Sequence, residues 1–214
     1  GWATIQGNGV INMDNKVFYQ MTYGMFLLTA QDEGKDNGCI INTAIQVANN
    51  PTRVSIAVIK SNKTNEMIQK TKRFNLSVLS TDAEFALFQR FGMQSGRDVD
   101  KFAGFADVVR TGNDLYRLTK GANTWLSCWV DEMYDLGSHM LYIAQVTDGA
   151  VISDAPSCSY AYYQSNIKPQ KKPEGKKGWR CTVCGYIYEG ESLPEDFVCP
   201  VCHHGPEVFE RIGG

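Results

Sequence analysis

Apolar and polar residues alternate in two short runs, Val54-Ser55-Ile56-Ala57-Val58 and Phe74-Asn75-Leu76-Ser77-Val78. A period of two sends successive side chains to opposite faces, so both runs read as half-buried β-strands. Phe26–Thr29, Cys39–Val47, Trp125–Val130 and Met140–Val146 are rich in β-branched and aromatic residues and read as further strands. Three short helices interrupt them. The first has Asp14 as N-cap and Val17, Phe18 and Met21 on one face, with Gly24 near its end. The second begins at Thr64, with Glu66 in its first turn, and ends near Thr71. The third opens on a capping box, Thr81-Asp82-Ala83-Glu84, and lines up Phe85, Phe88 and Phe91 as core residues. Six or more strands with few helices, mostly outside strict βαβ alternation, predict a mainly β fold with short helices, an antiparallel barrel rather than a doubly wound sheet.

The pattern stops at 166–177, where five lysines, two prolines and a glycine leave nothing to build a core with. This is a semi-rigid, solvated linker. It divides a domain over 13–165 from a small one over 178–214. The linker's five lysines stand against Glu174 alone, whereas the small domain has two arginines against six carboxylates. That acidic neighbour disfavours reading the lysines as a nucleic-acid or lipid patch. The chain starts at Gly1, and its first methionine is Met13, followed at once by a helix start, so residues 1–12 read as a candidate expression leader.

Composition narrows the class without choosing a function. With 43% hydrophobic residues, 11% aromatic residues and a net charge of -2, the chain has no general affinity for nucleic acid or anionic membrane. It has neither an apolar run of membrane-spanning length nor a signal-peptide pattern, and it reads as cytoplasmic. Seven cysteines raise the question of disulfides, but four of them fall within 22 residues as two C-x-x-C pairs, while Cys39, Cys128 and Cys158 stand singly in apolar sequence. One metal site and three buried, reduced thiols is the simpler arithmetic.

In Cys181-Thr182-Val183-Cys184 and Cys199-Pro200-Val201-Cys202, the two-residue spacing lets both sulfurs of a loop reach one ion while the loop amides point at them. Spacing alone leaves zinc and iron both open. The flanking residues Trp179, Arg180, Gly185-Tyr186-Ile187-Tyr188-Glu189-Gly190, Leu193-Pro194-Glu195-Asp196-Phe197 and Phe209-Glu210 closely resemble the rubredoxins, in which such an aromatic shell surrounds a mononuclear Fe(Cys)4 centre. Only 14 residues separate Cys184 from Cys199, as in the rubredoxin-like tails of rubrerythrins, and His203 follows Cys202 where glycine or alanine is commoner. His203 and His204 read as surface residues, four thiolates being enough for the ion.

A one-electron iron centre needs a donor, and the first domain has no G-x-G-x-x-G and no P-loop, so a Rossmann domain is not supported. A bound flavin takes a hydride directly and hands on single electrons. The ordered blocks 22–30, 37–47 with Asn50-Pro51, 60–64, 95–102, Gly137-Ser138-His139 and Tyr160-Ala161-Tyr162-Tyr163 resemble the flavin reductase family with the FMN-binding split β-barrel fold. The resemblance implies that Asn42, Thr43 and Gln46 contact the flavin ring and ribityl chain, and that Asn62 and Thr64 serve the FMN phosphate at a helix start. Simple helix capping is an equal reading for Asn62. It also implies that Ser95, Gly96, Arg97 and Lys101 border the flavin, Arg97 or Lys101 offsetting negative charge, and that Tyr162 and Tyr163 close the pocket in a homodimer. His139 sits at the family's Gly-x-His position on the nicotinamide side and is the candidate catalytic residue, against a purely structural histidine. Ser138 replaces the family's common aspartate, which leaves NADH or NADPH open.

The combination resembles the high-molecular-weight rubredoxins, flavin reductase–rubredoxin fusions. That resemblance implies electron flow from NAD(P)H through FMN to Fe(Cys)4 and on to an external acceptor, a flavodiiron oxygen or nitric oxide reductase. Two rival classes remain: a flavin reductase releasing reduced FMN, and a ligand-binding barrel with a structural zinc ribbon.

Overall fold

The computed structural model describes residues 14–169 and 178–213. The candidate leader 1–12 and linker residues 170–177 lie outside the described residues. A 3-10 turn at Asn15–Gln20 precedes four strands, β1 (Phe26–Asp32), β2 (Lys35–Ile41), β3 (Ala44–Asn49) and β4 (Thr52–Ile59). Helix α1 (Lys63–Thr71), β5 (Arg73–Leu79) and α2 (Phe85–Gly92) follow. The short hairpin β6 (Val108–Arg110) and β7 (Tyr116–Leu118) leads into the long strands β8 (Ala122–Asp135) and β9 (His139–Val151). The first domain ends on α3 (Tyr160–Tyr162), which runs into a π turn at Tyr163–Ile167.

Seven strands form one antiparallel sheet in the order β2-β1-β5-β8-β9-β4-β3. The strands at its two edges, β2 and β3, are consecutive in sequence and joined only by Asn42-Thr43. Three Cα steps from Ile41 to Ala44 cover at most about 11 Å. Six strand spacings in a flat sheet would put the edges about 29 Å apart. The sheet must therefore roll until its edges meet at Asn42 and Thr43, and the barrel is split at that seam.

The interior is filled by alternate residues of the strands, among them Leu28, Ala30, Ile56, Val58, Phe74, Leu76, Val130 and Tyr142. A second apolar layer covers the outer face of β1 and β5, where Leu27 and Leu79 meet Phe88 and Phe91 of α2 and Tyr163. Because β1 is buried on both faces, it reads as a continuous apolar run rather than an alternating one. Cys39, Cys128 and Cys158 are buried and unpaired, and burial pushes the Cys128 thiol up to about 12.

Three local expectations are corrected. The first helix is a 3-10 turn capped by Asp14, and Val17, Phe18 and Met21 are exposed rather than facing the core. The proposed strand 39–47 breaks at Asn42-Thr43, where the chain passes from one sheet edge to the other. The capping box does not start α2: the amide of Thr81 donates to Pro156 O at 2.9 Å, which holds the segment in a bridge, and the helix begins four residues on.

The small domain has a three-stranded sheet, β11 (Ile187–Tyr188), β10 (Gly178–Cys181) and β12 (Phe209–Ile212), in that order. Phe197 packs against Tyr188 at 4.8 Å and Phe209 at 5.3 Å between ring centroids, forming the aromatic shell.

Candidate flavin cleft and metal centre

The two cysteine loops bring four Sγ atoms within 4.8 Å of one another. Cys181 and Cys202 sulfurs are 3.5 Å apart and Cys184 and Cys199 sulfurs 3.4 Å apart. A tetrahedral ion with metal–sulfur bonds of about 2.3 Å separates its ligands by about 3.8 Å, so the set fits a single S4-bound ion. Both loops are built alike. The amide of Gly185 donates to Cys181 O and that of His203 to Cys199 O, each at 2.9 Å. At these equivalent positions Gly185 and His203 both have positive φ, which explains why glycine suits the position and identifies His203 as its strained counterpart.

The amides of Cys184 and Val183 bond the Cys181 sulfur, that of Tyr186 bonds Cys184, and that of His204 bonds Cys202. These are the donors that stabilise thiolate charge. As thiols, Cys181, Cys184 and Cys202 are hydrogen-bonded to one another: bonds from Cys184 and Cys202 pull Cys181 down, and the same bonds push Cys184 and Cys202 up. A dication would displace these protons and bind all four sulfurs as thiolates.

Beside this centre opens a cleft of about 480 Å3 at the barrel seam. That volume lies within the roughly 300–1,000 Å3 of small-molecule sites. Asn42 and Thr43 line it, Thr43 being fixed by donating its hydroxyl to Ala57 O at 2.9 Å. Ser61, Asn62 and Lys63 border it at the start of α1, where the Asn62 carboxamide accepts from the Thr64 amide at 2.9 Å, so Asn62 is the N-cap as well as a cleft residue. Ser95 and Gly96 form the opposite lip.

Lys101 is buried at the back of the cleft, donating to Gly38 O at 2.8 Å and Phe91 O at 3.1 Å. Burial holds its pKa below the ordinary 10.5. Cys39 lies close by, its thiol raised by burial and opposed by the Lys101 charge. His139 lines the cleft at the first position of β9, with its Nδ1 2.8 Å from the Ser138 hydroxyl. Tyr163 is buried in the wall against Phe88, ring centroids 4.4 Å apart, and burial pushes its hydroxyl up to about 12.

Four of the sequence-derived candidates do not line the cleft. Gln46 lies on exposed β3 and donates to Asn49 Oδ1 and Ala48 O. Thr64 is buried behind the cleft, accepting from Asn37 Nδ2 at 3.0 Å. Arg97 pairs with Glu66, which lowers that carboxyl, and also reaches Ser61 O. Tyr162 points away because Tyr160 and Tyr163, three residues apart, share the cleft-facing side of the turn. Tyr160, Gln164, Met25 and Met93 are cleft residues that the sequence reading did not single out as site residues, and a helical period applied to Tyr160–Tyr163 finds the first of them.

The far wall comes from the small domain. Val183, Cys184, Val201 and Cys202 line the same cleft, with His203 and His204 at its rim, so all three histidines of the chain border it. The metal-binding edge and the barrel seam are thus two sides of one cavity.

Two family models match. The flavin reductase like domain matches residues 18–171, and the rubrerythrin, rubredoxin-like domain matches residues 179–210. A high molecular weight rubredoxin from Moorella thermoacetica is 31% identical over 94% of this chain and all of its own length. A ferric-chelate reductase (NAD(P)H) from Archaeoglobus fulgidus is 29% identical over 75% of this chain and 94% of its own. Among solved structures, an NADH:FAD oxidoreductase from Streptomyces globisporus aligns over 74% of this chain and 91% of its own with a TM-score of 0.62 at 22% identity, a likeness of fold.

Proposed function

Because the chain belongs to the flavin reductase-like family and carries a rubredoxin-like domain behind it, and is on that ground an NAD(P)H-dependent oxidoreductase, we propose that it passes electrons from NAD(P)H through FMN to iron on Cys181, Cys184, Cys199 and Cys202, and on to an external acceptor protein. The single observation that carries this order is the shared cleft, with flavin-binding candidates on one wall and Cys184 and Cys202 on the other. FMN, when bound, supplies the conversion of a two-electron hydride into single electrons.

The chain's own residues position and insulate. Asn42, Thr43, Ser95 and Gly96 offer polar groups and backbone at the seam, while Asn62 and Lys63 offer the helix start and an ammonium for a phosphate. Lys101 uses two of its three N–H donors on Gly38 and Phe91, and its third is assigned to a flavin oxygen or nitrogen that gains charge on reduction. His139 is assigned to orient the nicotinamide at the cleft mouth, supported by its place on the lining and its anchor on Ser138. Met25, Phe88 and Tyr163 keep water from the back wall. No side chain need exchange a proton for the hydride to move; orientation carries the rate.

The exposed apolar residues Ile45 and Val47 on β3 and Trp129 on β8 support a homodimer through this side of the sheet, which would give Gln46 a place in a shared interface. A flavodiiron protein is the proposed acceptor, by resemblance of the domain combination to the high-molecular-weight rubredoxins, and the acidic small domain would dock on a basic patch with a rate that falls as salt rises. A cytoplasmic setting agrees with three reduced, buried thiols. Among the described residues no helix is long and apolar enough to cross a membrane.

An absorption spectrum with metal analysis, followed by anaerobic titration with NADH and NADPH, tests the scheme. Flavin and ferric-thiolate bands that bleach in sequence are expected. A colourless protein containing zinc would overturn it.

A further inference from the structure

Lys168 falls in the segment whose composition reads as solvated spacer, yet its side chain is partly buried against the small domain. The π turn Tyr163–Ile167 ends with the Lys168 amide donating to Tyr163 O at 2.8 Å, which fixes the backbone against the cleft wall. From there the ammonium crosses to the small domain and donates to Thr182 O and, at 2.8 Å, to Val183 O. Those are the two residues between Cys181 and Cys184. The amides of Val183 and Cys184 in turn bond the Cys181 sulfur, so the lysine charge lies one peptide layer from the ligands, and it interacts with Cys181, Cys184 and Cys202. A second cleft, lined by Phe85, Met93, Lys168, Pro169, Arg180 and Cys184, separates the domains elsewhere around this contact, so the lysine bridges a gap that side-chain packing leaves open.

We propose that Lys168 is a redox-linked latch, which holds the small domain against the flavin cleft and makes the docked iron a better electron acceptor, while its release makes the same iron a better donor. The proposal rests on the electron path above. In the step concerned, one electron leaves the reduced flavin and ferric iron becomes ferrous; no bond breaks. The charge of the four-thiolate centre changes from -1 to -2. A fixed cation beside it stabilises the second state more than the first. By linkage, whatever factor docking adds to electron affinity, reduction adds to docking. An ammonium at this range, half screened, gives that factor a size of about ten.

The test uses the whole chain with flavin and iron in place. Potentials are read by anaerobic spectroelectrochemical titration for wild type, Lys168→Gln and Lys168→Arg. The same three proteins are nicked by limited proteolysis, oxidised and reduced, to report release of the small domain. The expected result is a fall of about 59 mV in the iron potential of Lys168→Gln, the one-electron equivalent of tenfold, with recovery in Lys168→Arg. Wild type should nick about tenfold more slowly when reduced than when oxidised, and Lys168→Gln equally fast in both states. A Lys168→Gln potential equal to wild type, or a nicking rate indifferent to redox state in wild type, overturns the latch. Wild type lacking iron or flavin would instead mark failure of the underlying reading.

Discussion

Replacing Lys101 by methionine should separate what this buried cation does for folding from what it does for the ligand. The substitution keeps the length and apolar stem of the side chain. It leaves Gly38 O and Phe91 O without their donor, at a cost of about 1–3 kcal/mol each. Against that, it removes a buried ammonium that has no carboxylate beside it among the described residues, and whose desolvation costs several kcal/mol. The two terms oppose, so the variant should stay within about 2 kcal/mol of wild type, a melting shift of no more than about 8 °C. Ligand binding has no such compensation. Loss of one charged hydrogen bond to FMN, about 1.5–3 kcal/mol, should weaken binding by roughly 10- to 150-fold. Titrating flavin-stripped protein with FMN by fluorescence quenching reads this directly. The signs also differ with pH. Because the folded pKa of Lys101 is depressed, the unfolded chain binds the extra proton between that lowered value and 10.5, so wild-type stability should rise with pH through that window. Lys101→Met should lose that contribution. An FMN affinity within twofold of wild type would refute Lys101 as a ligand of the cofactor, whatever happened to stability.

Two further substitutions probe neighbouring elements. A Cβ at Gly96 would lie 2.5 Å from Cγ of buried Asn37, so Gly96→Ala should displace the cleft lip or break the Asn37–Thr64 bond, costing about 1–3 kcal/mol by thermal melting and weakening FMN several-fold. Cys202→Ser should abolish the ferric-thiolate spectrum while NAD(P)H still reduces bound flavin. Because a domain of this size cannot bury enough surface to fold unaided, the variant's small domain should also lose its protection from proteolysis.

How far the sequence disclosed this arrangement depends on the kind of signal. Strand β4 was legible because a half-buried strand alternates, and β9 because it is rich in β-branched and aromatic residues; β5 alternates as well, but it is buried on both faces, its polar Asn75 and Ser77 lying under the second apolar layer rather than in solvent. The metal ligands were legible because a C-x-x-C loop is a local geometry that needs no partner to be recognised. The break of 39–47 was not, since Asn42-Thr43 carries no turn signature; only the demand that a seven-stranded sheet close forces it. The capping box at Thr81 was overridden by a non-local bond to Pro156. Arg97 and Lys101 looked alike as loop cations, yet one is spent on Glu66 and the other is buried in the cleft, a difference of tertiary position alone. Lys168, equally, reads as spacer until the small domain is seen folded back on it.

The central claim is that flavin and iron exchange electrons across one cleft within the folded protein. Rapid anaerobic mixing with NADH or NADPH, following flavin and ferric-thiolate absorbance over a tenfold range of protein concentration, tests it. The account predicts that the iron band bleaches after the flavin with a first-order rate independent of protein concentration. A rate that scales with concentration, or iron that stays ferric beside fully reduced flavin, would contradict it.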